Sequence, residues 1–424
     1  MVKKNTSGKG YNVICFSLGG HIATQNTSFK ELARILEPEG YSFYGAKDGF
    51  KAFETGDVYK LNFENIPKDF AGFVAGAGRA SLTHKDGSLD ENKLDRAVDF
   101  FKKGKFDIAI GSGGDDHGMQ MESLRKGLED KLEVYVLNKT MDNDLGGKKS
   151  YTDFTNGFHT AVSVGVNSMK NHFAGAWTNN MPYLICPFGR DANWVGIAMS
   201  YFGHADKFIY RELPDGHLGH DINEIHDLIL DSQQKNDKDY RRRFSMIVVA
   251  EGTRIRGIDH TDKKLVDAHG HHKLNPEALV SSLKRELQIR YGMQTQTVGI
   301  TYEMRNSPPT KEDIYFAKMS ANALVKEIQS GNSGAESVFK IIGVNGLKDV
   351  VAGVAPIEKV SEKRFALYHP KPFIDYQNFE VTEEIGKYYQ ALFGERNSLS
   401  KWLPIELKPV KVDSLGQDWA RGDE

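Results

Sequence analysis

Short apolar runs rich in β-branched and aromatic residues recur along the chain, and between them apolar positions return every three or four residues. The short runs predict strands at 12–18, 106–110, 132–137, 183–186, 244–250 and 339–344. The longer periodic stretches predict helices. In 90–103 the residues Leu94, Val98 and Phe101 fall on one face, and in 221–234 Ile222, Ile225, Leu228 and Ile229 form a stripe. In 278–292 Leu279, Leu283 and Leu287 point inward, which reads as core packing rather than a membrane helix. Strands alternating with amphipathic helices indicate an α/β fold, a parallel sheet with helices on both faces. The charged stretch 235–243, KNDKDYRRR, is expected as a surface connection, and from 397 onward the pattern fades into a tail laid over the surface.

Length and charge narrow this picture. With 424 residues, 39% of them hydrophobic, the chain can bury a large core in two or three domains or one elaborated enzyme. Fifty-five basic residues against 57 acidic ones give a net charge of -2, which favours neither nucleic acid nor an anionic membrane as a partner. The two cysteines, Cys15 and Cys186, lie inside apolar runs, so buried thiols in a reducing compartment are expected rather than disulfides or a zinc cluster. The opening MVKKNTSGKG has no apolar signal core, and no run reaches about 18 apolar residues, which points to a cytoplasmic protein. His217, His220, His269, His271 and His272 lack the spacing of a helical zinc site and are expected on surface loops. Trp177, Trp194 and Trp402 carry no readable role.

Three strand ends gather chemistry, where ligands bind in open α/β sheets. After the first strand, SLGGHIATQN carries Gly19 and Gly20, which let backbone N–H groups approach a phosphate; a plain tight turn fits these residues as well. After the second, GSGGDDHGM places Asp115 and Asp116 directly behind Gly113 and Gly114, where Asp115 can hold a divalent cation; a pair of exposed turn carboxylates fits equally. The third, NKTMDNDLGG, is more informative. It holds a lysine, a threonine hydroxyl and two aspartates one residue apart, the parts that phosphoryl transfer needs. Asx-turn chemistry accounts for one of the aspartates but not for the set.

GGDD, KTMDNDL, FGRDANWVGIAMS, VVAEG and YEMRNSPP, in order from Gly113 to Pro309, resemble the motif series of the phosphofructokinase family, and GAGRAS and YGAKDGF are also in place. The resemblance implies two similar three-layer α/β domains with mainly parallel sheets and an active site in the cleft between them. It divides the chain into a donor-binding domain of 1–155 plus about 304–338, a sugar-binding domain of 156–303 plus about 339–395, and a tail of 396–424. It implies a phosphotransferase acting on fructose 6-phosphate with Mg2+ as cofactor, assembled as a homodimer or homotetramer.

Site residues follow by the same likeness. Asp142 matches the general base that takes the proton of the sugar's 1-hydroxyl, supported by Asp144 and Thr140. Asp115 matches the magnesium-site acid, and Arg79 the arginine that neutralises the moving phosphoryl group. Gly189 and Arg190 match the sugar-binding turn, with Phe188 in place of methionine; Glu251 matches the acid that bonds sugar hydroxyls. Tyr302 and Arg305 fall in the substrate motif, Arg305 near the sugar 6-phosphate. ATP-dependent members resemble GGDG, so Asp116 stands where a nucleotide's α-phosphate needs room. With Lys139 positioned to bind the donor's oxygens, the pattern is similar to that of the pyrophosphate-dependent enzymes.

The chain also departs from the family. GGHIATQN lacks the proline and later glycine of the first loop, and Asn138 replaces a proline. Position 181, nine before Arg190, is methionine, and no arginine lies between Tyr291 and Met304, so two arginines expected on the sugar 6-phosphate are missing. Charge-assisted bonds contribute roughly 1.5–3 kcal/mol each, so their loss would weaken sugar-phosphate binding about 10^2- to 10^4-fold. Two alternatives therefore stand beside the first reading: a kinase of the same fold acting on a different sugar or polyol, and a non-catalytic regulatory member.

Overall fold

The computed structural model describes residues 10–403 apart from 69, 85–87, 129–130, 212–218, 259–261, 267–271 and 367–371, and only the backbone of 262–266 and 272–273. The chain opens with β1 (Tyr11–Ser17), α1 (Gln25–Leu36), β2 (Tyr41–Ala46), α2 (Ala52–Thr55), β3 (Val58–Leu61), α3 (Glu91–Gly104), β4 (Ile108–Gly113), α4 (Asp115–Gly127) and β5 (Glu133–Asn138). The long α5 (Phe158–Asn179) leads to β6 (Pro182–Pro187), α6 (Trp194–Phe202), β7 (Lys207–Ile209), α7 (Ile222–Tyr240) and β8 (Ser245–Val249). A hairpin of β9 (Asp262–Val266) and β10 (His272–Lys273) precedes α8 (Pro276–Tyr291), β11 (Gln296–Ile300), α9 (Glu303–Asn306) and α10 (Lys311–Ser330). The chain returns through β12 (Ala335–Ile341), β13 (Val350–Pro356) and α11 (Ile357–Val360), then a small hairpin of β14 (Ile374–Asp375) and β15 (Glu380–Val381), and α12 (Glu383–Phe393).

Two sheets organise these elements. The larger has the order β13-β12-β5-β4-β1-β2-β3, parallel except at its two edges; the smaller, β11-β6-β8-β7, is parallel throughout. Each has an apolar layer on both faces. On the larger sheet, α1 and α10 bury Phe29, Leu32 and Leu324 on one side, while α3 and α4 bury Leu94, Phe101 and Met121 on the other. On the smaller, α5, α6 and α12 contribute Phe158, Trp194 and Tyr389 to one face, and α7 and α8 contribute Ile225 and Leu283 to the other. The mainly parallel α/β fold expected from the sequence is therefore present. Cys15 and Cys186 are free and buried in it, and burial pushes both thiols up from their ordinary range. Among the described residues, no helix is long and apolar enough to cross a membrane.

The predicted elements differ from the observed ones where tertiary pairing overrides local pattern. Residues 339–341 and 350–356, assigned from sequence to the sugar-binding domain, belong to the larger sheet. There β12 pairs parallel with β5 at Ala335–Tyr135 and Glu336–Val136 and antiparallel with β13. β4 starts later than its apolar run and continues through Gly111–Gly113, because both β1 and β5 pair with it there. α7 continues to Tyr240, so most of 235–243 is helix rather than connection; buried Asn236 donates to Asp206 Oδ1 (3.0 Å) and to the Phe244 carbonyl (3.1 Å). His220, expected on a surface loop, is buried, with Nε2 2.7 Å from the Tyr210 carbonyl. His217, His269 and His271 lie outside the described residues, as does the tail beyond 403.

Candidate active site

A cleft open to solvent lies where the loops at the C-terminal ends of both sheets meet. From the larger sheet come Gly19, Gly20, His21 and Ile22 after β1, Arg79, Gly114–His117 at the start of α4, and Lys139–Asp142 with Asp144 after β5. The smaller sheet contributes Arg190 after β6 and Arg305 after β11. Of the sequence-predicted residues, Gly19, Gly20, Arg79, Gly114, Asp115, Asp116, Lys139, Thr140, Asp142, Asp144, Arg190 and Arg305 thus line one cavity. Four do not. Gly113 ends β4 with its Cα packed against His117; Gly189 and Glu251 lie behind the turn that carries Arg190; and Tyr302 is largely exposed, edge-on to Phe188.

The first loop is shaped by close approach. Gly19 has φ +80 and donates its N–H to the Gly78 carbonyl at 2.8 Å, and a Cβ there would lie 2.6 Å from His117 Cε1. A Cβ at Gly20 would overlap Arg305 Nη1. Arg305 thus packs closely against the loop at Gly20, its guanidinium 5.2 Å from the centre of the Phe188 ring. His21, which departs from the family pattern, stands 2.6 Å from Asn306 Oδ1 and ties this loop to the turn after β11.

Lys139 reaches back from β5 and donates to the Leu18 carbonyl at 2.9 Å and to the Gly20 carbonyl. Burial, then the neighbouring Arg305, lowers its pKa to about 7. An anion bound in the cavity would meet Lys139, Arg79 and Arg305 and relieve their mutual repulsion. Asp115 and Asp116 occupy the first turn of α4 behind the N-cap Gly114, where the helix dipole favours negative charge. Only Gly114 stands between strand and helix, so the two carboxylates sit on a helix start and not in a turn.

Asp142 is buried. Its backbone N–H donates to Thr140 Oγ1 at 3.1 Å, while Oδ1 has no hydrogen-bond partner. Burial and the nearby Asp144 raise its pKa, and burial and Asp115 bring Asp144 up to about 6, also with Oδ1 unpartnered. Buried carboxylate oxygens without donors are costly unless a proton or a cation satisfies them. Asp115 and Asp144 are hard oxygen donors of the kind Mg2+ takes. Among the described residues no three acidic, histidine or cysteine side chains converge into a protein-only metal cage. The residues fit Mg2+.

Backbone contacts hold this loop in place. Asn143 has φ +57, tolerable for asparagine, and its Nδ2 donates to Tyr389 Oη at 2.5 Å. Asn138, in place of the family's proline, donates to the Ser337 carbonyl (2.8 Å) and accepts from the Asn156 N–H (3.1 Å), tying β5 to β12 and to the start of α5. Glu251 is a buried acid whose pKa is raised to about 7, and its Oε2 accepts the N–H groups of Gly189 (2.9 Å) and Arg190 (2.6 Å). It fixes the turn that aims Arg190 into the cleft, where Arg190 itself has φ +48.

Sequence reasoning missed Lys363 and Arg364, which brace the loops of the site from 360–364 without being among the residues that line the cleft. Arg364 is buried, 4.2 Å above the Trp194 ring, with Nη2 donating to the carbonyls of Asn143 (3.1 Å) and Asp153 (2.9 Å). The only local signal was the run SEKRF, which reads as surface charge.

Comparison with known proteins places these features in context. Residues 12–328 match the family model described as phosphofructokinase. A pyrophosphate--fructose 6-phosphate 1-phosphotransferase of Dictyoglomus thermophilum is 25% identical over 321 residues, 74% of this chain and 86% of that protein. An ATP-dependent 6-phosphofructokinase of Spirochaeta thermophila is 24% identical over 347 residues, 79% of this chain and 87% of that protein. The solved structure of a pyrophosphate-dependent phosphofructokinase from Marinobacter aquaeolei is similar in fold, with a TM-score of 0.69 and 15% identity across 91% of this chain and 92% of that one.

Proposed function

The chain belongs to the phosphofructokinase family, and from that premise we propose that it moves a phosphoryl group reversibly from pyrophosphate to the 1-hydroxyl of fructose 6-phosphate. One observation carries the reading: Asp142 presents a buried carboxylate oxygen without a partner in the same cleft as Lys139 and Arg79. Burial and the nearby Asp144 raise its pKa, which makes the ionised carboxylate a stronger proton acceptor. As the acceptor hydroxyl gives its proton to Asp142, its oxygen attacks the near phosphorus of the donor in line, and the far phosphate leaves. Lys139 and Arg79 offset the charge that spreads over the transferring oxygens, and the N–H groups of Gly20 and Gly114 orient the donor. Arg190 and Arg305 hold the acceptor from the other side. When bound, Mg2+ would be held by Asp115 and Asp144 and would neutralise charge on the donor's oxygens.

Pyrophosphate rather than ATP is favoured by Asp116, which adds a carboxylate to the wall beside Lys139. The relatives themselves divide between the two donors. Met181, partly buried where the resemblance calls for an arginine, supports a second reading in which the acceptor is a sugar or polyol without the 6-phosphate. A two-by-two assay tests both: ATP or pyrophosphate against fructose 6-phosphate or a neutral sugar. Turnover only with pyrophosphate and fructose 6-phosphate is expected. Turnover of the neutral sugar alone supports the second reading, and turnover with ATP at least equal to that with pyrophosphate refutes the donor assignment.

A further inference from the structure

We propose that Lys363 is a positioning residue of the reaction site, the cation that ties Asp115 at the start of α4 to Asp191 in the turn after β6. The proposal rests on the phosphoryl-transfer reading of the cleft. Lys363 lies beyond the stretch matched by the family model, which ends at residue 328.

Its place comes from strand-like pairing of 360–364 with the loop after β5. Gly146 N–H donates to the Val360 carbonyl at 2.7 Å, Gly147 N–H to the Glu362 carbonyl at 2.7 Å, and Arg364 N–H to the Asp144 carbonyl at 2.6 Å, with Leu145 opposite Lys363. Neighbouring side chains in an extended segment point to opposite faces. Arg364 turns into the core under Asn143 and Asp153, so Lys363 turns toward the carboxylates. Its Nζ stands 3.9 Å from Asp115 Oδ2 and 3.6 Å from Asp191 Oδ2, with three-quarters of the side chain buried. Asp191 is also held by Arg211 Nε at 3.0 Å, so the acceptor-side anchor is itself fixed.

The two acids belong to elements at the ends of different sheets. A single ammonium between them sets the separation of the α4 start, on the donor side, from the turn that carries Arg190. In-line transfer depends on that separation, and small misplacements of reacting groups reduce turnover steeply. Lys363 also balances the charge of Asp115 and Asp144. Without it the carboxylates gain attraction for a free divalent ion while the two sides of the cleft lose their tie, so metal binding and turnover move in opposite directions.

Lys363→Met and Lys363→Arg test this, with Mn2+ alone as the metal probe, followed through its free-ion electron paramagnetic resonance signal. Lys363→Met is expected to bind Mn2+ about tenfold more tightly, as loss of one charge roughly 4 Å away implies. Its kcat with pyrophosphate and fructose 6-phosphate should fall about 10- to 100-fold, with KM for the donor changing less than about threefold. Lys363→Arg should recover both properties to within about fivefold. Asp191→Asn removes the far anchor and should lower kcat at least about fivefold with Mn2+ affinity unchanged; it carries the test if Lys363→Met does not fold. Mn2+ affinity and kcat both within twofold of wild type in Lys363→Met, or an unchanged kcat in Asp191→Asn, would overturn the proposal. The metal titration needs no substrate, so a wild-type protein inactive with these substrates sinks the functional reading and leaves the tie between Asp115 and Asp191 separately testable.

Discussion

Replacing Asp116 by glycine isolates the choice of phosphoryl donor. The side chain sits in the first turn of α4 and lines the cleft together with Lys139. A carboxylate about 4 Å from an added nucleotide phosphate opposes binding by roughly 1 kcal/mol in water-like surroundings and about 4 kcal/mol at an effective dielectric of 20. The half-open cleft lies between these limits, so Asp116→Gly should raise the ratio of ATP-supported to pyrophosphate-supported kcat/KM by about 10- to 100-fold. The variant gives up a helix-stabilising acid and gains a glycine in the helix, together costing about 1–2 kcal/mol of stability. Lys139→Gly is a harsher partner change, because it strands the Leu18 and Gly20 carbonyls that the ammonium now binds. The single variant is therefore the cleaner assay, with initial rates measured over a matrix of both donors. A donor ratio within twofold of wild type in Asp116→Gly, and again in Asp116→Gly with Lys139→Gly, would refute a carboxylate gate.

Two further outcomes follow from the same geometry. Lys139 has its pKa lowered to about 7, so in the free protein it carries charge below that pH and loses it above; pyrophosphate binding measured by calorimetry should weaken as pH rises from 6.5 to 8.5. Lys139→Met should bind weakly with no such slope, and a wild-type affinity that is flat across this range would contradict the assignment. Gly20→Ala should push Arg305 off the first loop, because the added methyl overlaps its guanidinium; kcat/KM is expected to fall at least about tenfold with the melting temperature within about 3 °C of wild type. Full activity in that variant would show that Arg305 need not rest on the loop.

The parts of the site legible in the sequence are those where a strand ends and its own loop does the chemistry. Asp115 after β4 and Lys139 to Asp144 after β5 follow apolar runs directly, so strand position and chemical role are written together. Glu251 was legible as an acid but not as a clamp on the amides of Gly189 and Arg190, which come from a different strand end. The contribution of 360–364 was not legible at all. Pairing of β12 with β5 joins residues some 200 positions apart in sequence, and no local periodicity encodes it. A lysine and an arginine in SEKRF look like solvent charges until pairing of 360–364 with the loop after β5 sends one toward Asp115 and the other beneath Asn143. Gly113 misled in the opposite sense: a glycine that reads as part of a turn with Gly114 is the last residue of β4, because β5 pairs with it.

Asp142→Asn gives the most direct test of the chemistry. The change keeps the shape of the side chain and removes the proton acceptor, and general-base catalysis contributes about 10^2- to 10^4-fold. Because Asp142 is a buried acid with an unpartnered oxygen, its neutral replacement should leave the melting temperature unchanged or higher. With pyrophosphate and fructose 6-phosphate, kcat should fall at least about 100-fold while calorimetric affinity for each substrate stays within about fivefold of wild type. A kcat within tenfold of wild type, with the variant folded and binding both substrates, would contradict Asp142 as the base.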